Sequence, residues 1–246
     1  MISPDDQERV DAIEQALLAR WPETRIAPTT ERIAALVDLL GSPQLTYPTI
    51  HIGGTNGKTT TSRMIDPLLF EMGLRTGRFT SPHLESYLER ISINGQPIDP
   101  KAMIFSYNDI AAYLDFMDTK FDTPISFFEA ITALAFAAFA EHPIDVGVIE
   151  VGMGGEWDST NVADGDVAVF APISLDHMDR LGNTIEEIAQ TKAGIIKSGA
   201  FVVSSAQPAE ALTVLKDKAS ATADAFKSHG ADFEVLESTP DILGQK

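Results

Sequence analysis

The stretch PTIHIGGTNGKTT, residues 48–60, decides how the rest of the chain is read. Its first half is a short β-branched run that stops at Gly53-Gly54 and reads as a strand entering a turn. Its second half opens a helix from about Lys58 to Met72, ended by Gly73. A glycine loop between a strand and a helix can cradle phosphates with its backbone N–H groups and the helix N-terminus. A lysine then reaches the β- and γ-phosphates, and a threonine hydroxyl ligates Mg²⁺. The candidates are Gly54, Thr55, Asn56, Gly57, Lys58, Thr59 and Thr60, with Thr59 and Thr60 as metal ligands. Ile52 stands where the strict pattern begins with glycine, so the loop matches a shortened variant. The plain structural alternative is a Gly-Asn turn before a helix.

Outward from this loop, strands and helices alternate. Val10, Ile13, Leu17 and Leu18 recur near the helical period across residues 5–20. A second helix, Glu31 to Leu40, is expected to start at a Thr30 cap and end at Gly41. Arg75 to Thr80 reads as a strand, ERISINGQPI (89–98) as part of a hairpin, and Pro100 to about Phe116 as a helix. The apolar run Phe127 to Ala140 lies between Pro124 and Pro143 and reads as a buried core helix. DVGVIEV (145–151) and VAVFAPI (167–173) are buried strands, and Thr184 caps a helix containing Glu186 to Ala193. A strand at Phe201 to Ser204, a helix from Ala209 to Phe226 and a strand at Phe233 to Leu236 complete the pattern. The expected fold is α/β, a mostly parallel P-loop sheet with helices on both faces. Ligands of such sheets sit beyond the carboxyl ends of the strands. There the sequence places the glycine loop, Ser81, Glu150 and the pair Asp176-His177.

Composition narrows the chemistry. The chain has 246 residues and no cysteine, which excludes a disulfide scaffold, a thiol nucleophile and Cys-ligated metal. Eighteen basic against 36 acidic side chains give a net charge of −18, so nucleic acid and anionic membrane are not expected partners. An anionic substrate would need local cations. The N-terminus lacks the basic and apolar regions of a signal peptide, and 127–140 is too short to span a bilayer, so a cytoplasmic location is expected. Glu150 ends a buried apolar strand, where a carboxylate is costly unless paired or metal-bound. Read alone, Ser81 is an ordinary loop serine, His177 a structural histidine and Lys192 a solvated helix lysine.

In order along the chain stand LLGSPQ (39–44), GTNGKTT (54–60), TSPH (80–83), ERI (89–91), VGMGG (151–155), DSTN (158–161), LDH (175–177) and KAGIIK (192–197). This ordered set resembles the folylpolyglutamate synthase/dihydrofolate synthase family of the Mur ligase superfamily, over roughly residues 26–205. The resemblance implies an ATP-dependent ligase. The γ-phosphate passes to a carboxylate of folate or dihydropteroate, and L-glutamate's amine attacks the acyl phosphate. It implies two Mg²⁺ sites, the second held by Ser81, Glu150 and His177. Lys58, His177 and Lys192 would be catalytic, with Lys192 carbamylated. Ile26, Ala27, Pro28, Thr29, Phe127, Phe128, Glu129 and Asp158 would line the substrate side, although a core role for the 127–129 segment is also open. The chain departs from many members at Glu156, often arginine, and at Ala27, often an acid. The family's C-terminal motifs are not found after Leu236. The expected organisation is therefore an N-terminal ATP-binding ligase part over 1–236 (leading helices 1–47, α/β core 48–236) and a polar tail, 237–246. A monomer is expected. Another Mur-type ligase, or a nucleotide-binding domain not competent alone, are the alternative readings.

Overall fold

The computed structural model describes residues 2–22 and 28–236, and the backbone of a small hairpin pairing 240–241 with 244–245. Helix α1, Pro4–Leu18, is capped by the Ser3 hydroxyl, and helix α2, Glu31–Leu39, follows. Thr30 makes no side-chain cap on α2; the Thr29 hydroxyl instead accepts the Glu31 N–H at 3.1 Å. Strand β1 (Thr49–Gly53) feeds the glycine loop and helix α3 (Lys58–Glu71). Next come β2 (Thr76–Phe79), β3 (Ile91–Ile93), β4 (Gln96–Pro97) and α4 (Pro100–Asp118). Helix α5 (Phe127–Glu141) opens with a Ser126–Glu129 capping box. It leads to β5 (Val146–Glu150), β6 (Gly165–Phe170) and the short α6 (Met178–Leu181). Helix α7 (Ile185–Ala193), boxed by Thr184 and Glu187, strand β7 (Phe201–Ser204) and α8 (Ala209–Thr222) follow.

Two expectations near the C-terminus change. The helix read to Phe226 stops at Thr222, because Ala223 is extended and Ala225–Ser228 forms β8 instead. Phe233 to Leu236 forms no strand, only an isolated bridge from Phe233 to His229.

The eight strands form one sheet in the order β4-β3-β2-β5-β1-β6-β7-β8. From β2 to β8 every neighbouring pair is parallel; at the other edge β3 alone is reversed, pairing antiparallel with both β2 and β4. Helices cover both faces, as alternate residues of β2 demonstrate. A Cβ on Gly77 would stand 2.7 Å from Phe139 of α5. Its neighbours Thr76 and Arg78 reach the other way, to Asp66 of α3. Two apolar clusters result. One joins α1, α2, α4 and α5 to β2, β3 and β5, and the other joins α7 and α8 to β6 and β7.

The chain runs from β1 to one side, toward β2, and from β6 to the other, toward β7 and β8. The chain order thus reverses between β1 and β6, the position at whose carboxyl rim such sheets bind ligands. Among the described residues no helix is long and apolar enough to cross a membrane.

Candidate functional site

The glycine loop follows the central strand β1. Gly54 adopts φ +138°, and an added Cβ would lie 2.8 Å from both Cβ and the carbonyl oxygen of Ala171. Gly57 adopts φ +86° as the residue before α3, with no side chain capping that helix. Both positions need glycine, the first for close approach and the second for its left-handed backbone. The loop is braced from the segment after β6. The Thr55 and Asn56 N–H groups both donate to the Pro172 carbonyl, at 2.9 and 3.3 Å. The Thr55 hydroxyl donates to the Ser174 carbonyl and accepts the Ser174 N–H, both at 3.1 Å. Thr55 and Asn56 thus hold the loop's shape, which leaves the first turn of α3 as its anion-facing part. Lys58 folds back over the loop, its Nζ 3.4 Å from the Thr55 carbonyl.

Glu150 ends β5, opposite Ile52 of β1, and is 1% exposed. Its Oε1 accepts the Thr59 hydroxyl at 2.8 Å, while Oε2 is buried with no hydrogen-bond partner. Burial pushes the carboxyl pKa up, against the Thr59 hydroxyl, the Lys58 charge and the nearby Ser81 N–H. Thr60 is exposed, so of the two threonines Thr59 is the one that faces the carboxylate. A buried anionic oxygen without a partner, beside a hydroxyl, suits a hard divalent cation such as Mg²⁺. Ser81 follows β2, which pairs with β5 through Phe79 and Ile149. His177 lies in the left-handed region, φ +48°, on the exposed approach to α6. Its Nε2 is 3.6 Å from its neighbour Asp176. Among the described residues no group of three or more His, Cys, Asp or Glu side chains forms a ready metal cluster.

Lys192, on the last turn of α7, is buried, and its Nζ donates to the Gly54 carbonyl at 2.8 Å. The helix lysine thus reaches the phosphate loop across 138 residues of sequence. Burial, aided by the positive charge of Lys58, lowers its pKa to about 8, against the opposing pull of Asp176 and Asp158. The glycine loop after β5 fixes this geometry. A Cβ on Gly155 would sit 2.7 Å from the Thr191 carbonyl and 2.8 Å from that of Lys192. The Glu156 N–H donates to Thr191, and Asn161 Nδ2 bridges the Glu156 and Gly194 carbonyls. Glu156 itself is exposed.

Several residues expected on the substrate side serve the scaffold. Asp158 is buried and accepts the Met153 and Thr160 N–H groups and the Thr160 hydroxyl. It shapes the Gly152–Gly155 loop, and Thr160 passes the chain on to buried His51 at 2.8 Å. Burial, with the Lys197 charge, holds His51 neutral near a pKa of about 3. Glu129 pairs with Arg32 at 3.0 Å inside its capping box. Phe127 is core, under the Arg90 guanidinium at 4.8 Å. Phe128 is half-buried and lies against Gly152, where a Cβ would meet its ring at 2.5 Å. Pro28 is exposed and the Thr29 hydroxyl accepts the Glu31 N–H at the start of α2. Ile26 and Ala27 lie outside the described residues. The His51–Thr160–Asp158 chain and the Asn161 bridge escaped the sequence reading; DSTN was their only signal.

The fold and the loop define a P-loop-type α/β domain. The Mur ligase middle domain family matches residues 52–235, and the chain belongs to that family. Over 201 residues it is 53% identical to the dihydrofolate synthase/folylpolyglutamate synthase of Mycobacterium tuberculosis, covering 79% of this chain and 41% of that protein. The protein of the same name from Bacillus subtilis is 41% identical, over 90% of this chain and 50% of its own length. The chain thus spans about half the length of the curated relatives it matches. Among solved structures, M. tuberculosis folylpolyglutamate synthase complexed with ADP superposes with a TM-score of 0.90 at 45% identity, covering 98% of this chain and 54% of that one. A complex of FPGS with AMPPCP and folate gives 0.85 at 35% identity, covering 98% and 60%.

Proposed function

We propose that this chain is the nucleotide-binding part of an ATP-dependent carboxylate–amine ligase that joins L-glutamate to folate or dihydropteroate. The observation that carries the reading is the union of Lys192 with the phosphate loop, at 2.8 Å from the Gly54 carbonyl. A plain nucleotide cradle has no need of a buried lysine of depressed basicity there. The names of the relatives supply the substrate class.

In this reading Lys58 and the first turn of α3 bind the ATP phosphates and offset the chain's negative field. The carboxylate attacks the γ-phosphorus, the bond to the β-phosphate oxygen breaks, and ADP leaves an acyl phosphate. The glutamate amine then attacks the acyl carbon, loses a proton, and expels phosphate. Thr59, with Thr60 near the phosphates, would hold one Mg²⁺, and Ser81, Glu150 and His177 the second. When bound, these ions neutralise charge on the transferring phosphoryl group. Glu150 keeps an unpartnered oxygen ready, and Thr59 fixes the carboxylate's orientation. Lys192 adds CO₂ through its neutral amine and releases a proton, which turns a cation into a carbamate anion.

Two measurements test this. Lys58→Ala is expected to weaken ATP binding about ten- to a hundredfold by calorimetry, the loss of a charge-assisted contact; unchanged binding refutes the loop assignment. ADP release by the protein carrying both halves, with glutamate and each pteridine in turn, tests the substrates. Release with a peptidoglycan precursor instead would select another Mur-type ligase. The chain's span of half its relatives favours a second reading, that this part binds nucleotide without completing the reaction alone.

A further inference from the structure

Three cations surround the Glu150 carboxylate, yet none closes on it. The charges of Lys58 and Arg63 act on Glu150, and the charge of Glu150 acts on Arg78. Lys58 folds back onto the Thr55 carbonyl, and Arg63 is exposed. Arg78 is the enclosed one, its side chain 12% exposed. It lies on the α3 side of the sheet, where it meets Asp66, and Glu150 lies on the same side, where it meets Thr59. The β2–β5 register sets Arg78 beside Val148, two residues and one same-face step before Glu150. Strand geometry then puts the two Cα atoms about 8 Å apart, a gap that an arginine and a glutamate side chain close together. Among the described residues they make no hydrogen bond or ion pair, and Glu150 Oε2 stays unpartnered. Arg78 is held elsewhere: Nε lies 3.2 Å from Asp66 Oδ2, and Nη2 donates to the Ser92 hydroxyl at 3.0 Å. Asp66 is 1% exposed and is itself fixed, because its Oδ1 accepts the Thr76 hydroxyl at 2.5 Å.

We propose that Asp66 is a positioning residue that holds the Arg78 guanidinium off Glu150 and so keeps that carboxylate open to a divalent cation. The inference rests on the cation reading of Glu150. A guanidinium against Oε2 would compensate the buried anion and compete with a metal ion for it. Asp66 offers the guanidinium an equally buried anion on the same face instead. A clamp that only tied α3 to β2 would gain little from charge, since replacing a buried ion pair by apolar groups is often neutral or stabilising. The Nε contact is also one of charge rather than direction: Nε is buried and makes no aligned hydrogen bond. Removing the Asp66 charge therefore leaves Glu150 as the nearest buried anion on that face.

Asp66→Asn keeps the size of the side chain and removes its charge. Its Mg²⁺ affinity, measured by calorimetry with Mg²⁺ alone, is expected to fall at least about tenfold. Asp66→Asn with Arg78→Met removes both charges and is expected to bind Mg²⁺ within about twofold of the unmodified chain; a role confined to packing α3 would give no such recovery. Melting without metal supplies the second readout. Glu150→Gln is expected to hold or raise Tm in the unmodified chain, and to lower it by at least about 4 °C in the Asp66→Asn background, where it breaks the new pair with Arg78. Undiminished Mg²⁺ affinity in Asp66→Asn, no recovery in the double variant, or the same Glu150→Gln effect in both backgrounds would each overturn the proposal. Should Asp66→Asn fail to fold, Ser92→Ala decides. It unties only Nη2 and is expected to weaken Mg²⁺ about threefold, and an unchanged affinity there overturns the proposal. A lack of Mg²⁺ uptake by the unmodified chain would overturn the cation reading of Glu150, whereas the metal-free melts still decide whether Asp66 restrains Arg78.

Discussion

Replacing Lys192 by methionine separates the cost of burying its charge from the rest of its role. The folded state holds this amine near 8, against an ordinary 10.5. Between those values the unfolded chain binds a proton that the folded chain does not, so the stability of the unmodified protein rises with pH there. Below about 8 the penalty is fully present; it fades as pH approaches the unfolded value. From about pH 7 to about pH 9.5 the relief amounts to roughly 2 kcal/mol. Lys192→Met has no such proton. Its stability relative to the unmodified chain is therefore expected to fall by roughly 2 kcal/mol across that range, or roughly 4–8 °C in Tm for a domain of this size. The bond to the Gly54 carbonyl is lost at every pH and drops out of the comparison.

The same displacement sets the supply of nucleophile. At about pH 7.5 a group with a pKa near 8 is about a quarter neutral, against about one part in a thousand at 10.5. CO₂ adds only to the neutral amine. With ¹³C-bicarbonate and Mg²⁺, the unmodified chain is expected to show a carbamate carbon signal that is absent in Lys192→Met. Paired melting curves of the two proteins in CO₂-free buffer give the first quantity, and carbon NMR gives the second. A constant stability difference across the range, with no carbamate signal, would refute the argument that this lysine is buried at the cost of its charge.

Gly155→Ala forces a Cβ onto the Thr191 and Lys192 carbonyls, backbone atoms that cannot swing away, and is expected to cost at least about 2 kcal/mol in denaturant melts. Glu150→Gln removes the buried anion with the orphaned Oε2, so metal-free stability at neutral pH should hold or rise by about 1 kcal/mol. Burial raises the Glu150 pKa, so its share of stability is present at low pH and lost as pH climbs through the folded value; the variant should lose that slope together with any Mg²⁺-induced rise in Tm. Thr59→Val strands Glu150 Oε1 as well and should cost about 1–3 kcal/mol, while Thr59→Ser should cost little, by thermal melting.

The parts of the fold that were legible are those encoded by local chemistry. Glycines at 54 and 57, the β-branched run before them and the Thr184 cap act within a few residues, so sequence alone carries them, whereas the Ser126–Glu129 box was not read. Thr30 stands at the N-cap of α2 as read, but the hydroxyl bonded to the first turn is that of Thr29, a choice between two chemically alike neighbours that only backbone conformation makes. Strand β8 was hidden because its residues, AFKS, lack a β-branched run; pairing with β7 creates it. Phe233 to Leu236 has the composition of a strand but pairs only at one bridge.

The candidate site divides along the same line. Which residues stand at the rim followed from strand ends, but their partners are set by non-local packing. Asp158 and Glu129 illustrate the limit. A carboxylate in a motif looks free to meet a ligand until its neighbours are known, and both are occupied by backbone N–H groups or an arginine. Glu150 differs from them in one respect: Glu129 Oε1 also lacks a hydrogen bond but has the Arg32 guanidinium 3.0 Å away, whereas Glu150 Oε2 has no such cation against it among the described residues. Desolvating a carboxylate oxygen costs free energy that a bound cation would return. The difference between carboxylates held by backbone N–H groups or an arginine and one with no cation against it therefore distinguishes Asp158 and Glu129 from Glu150. That difference supports the proposal of a cation at Glu150 on energetic grounds that owe nothing to the motif.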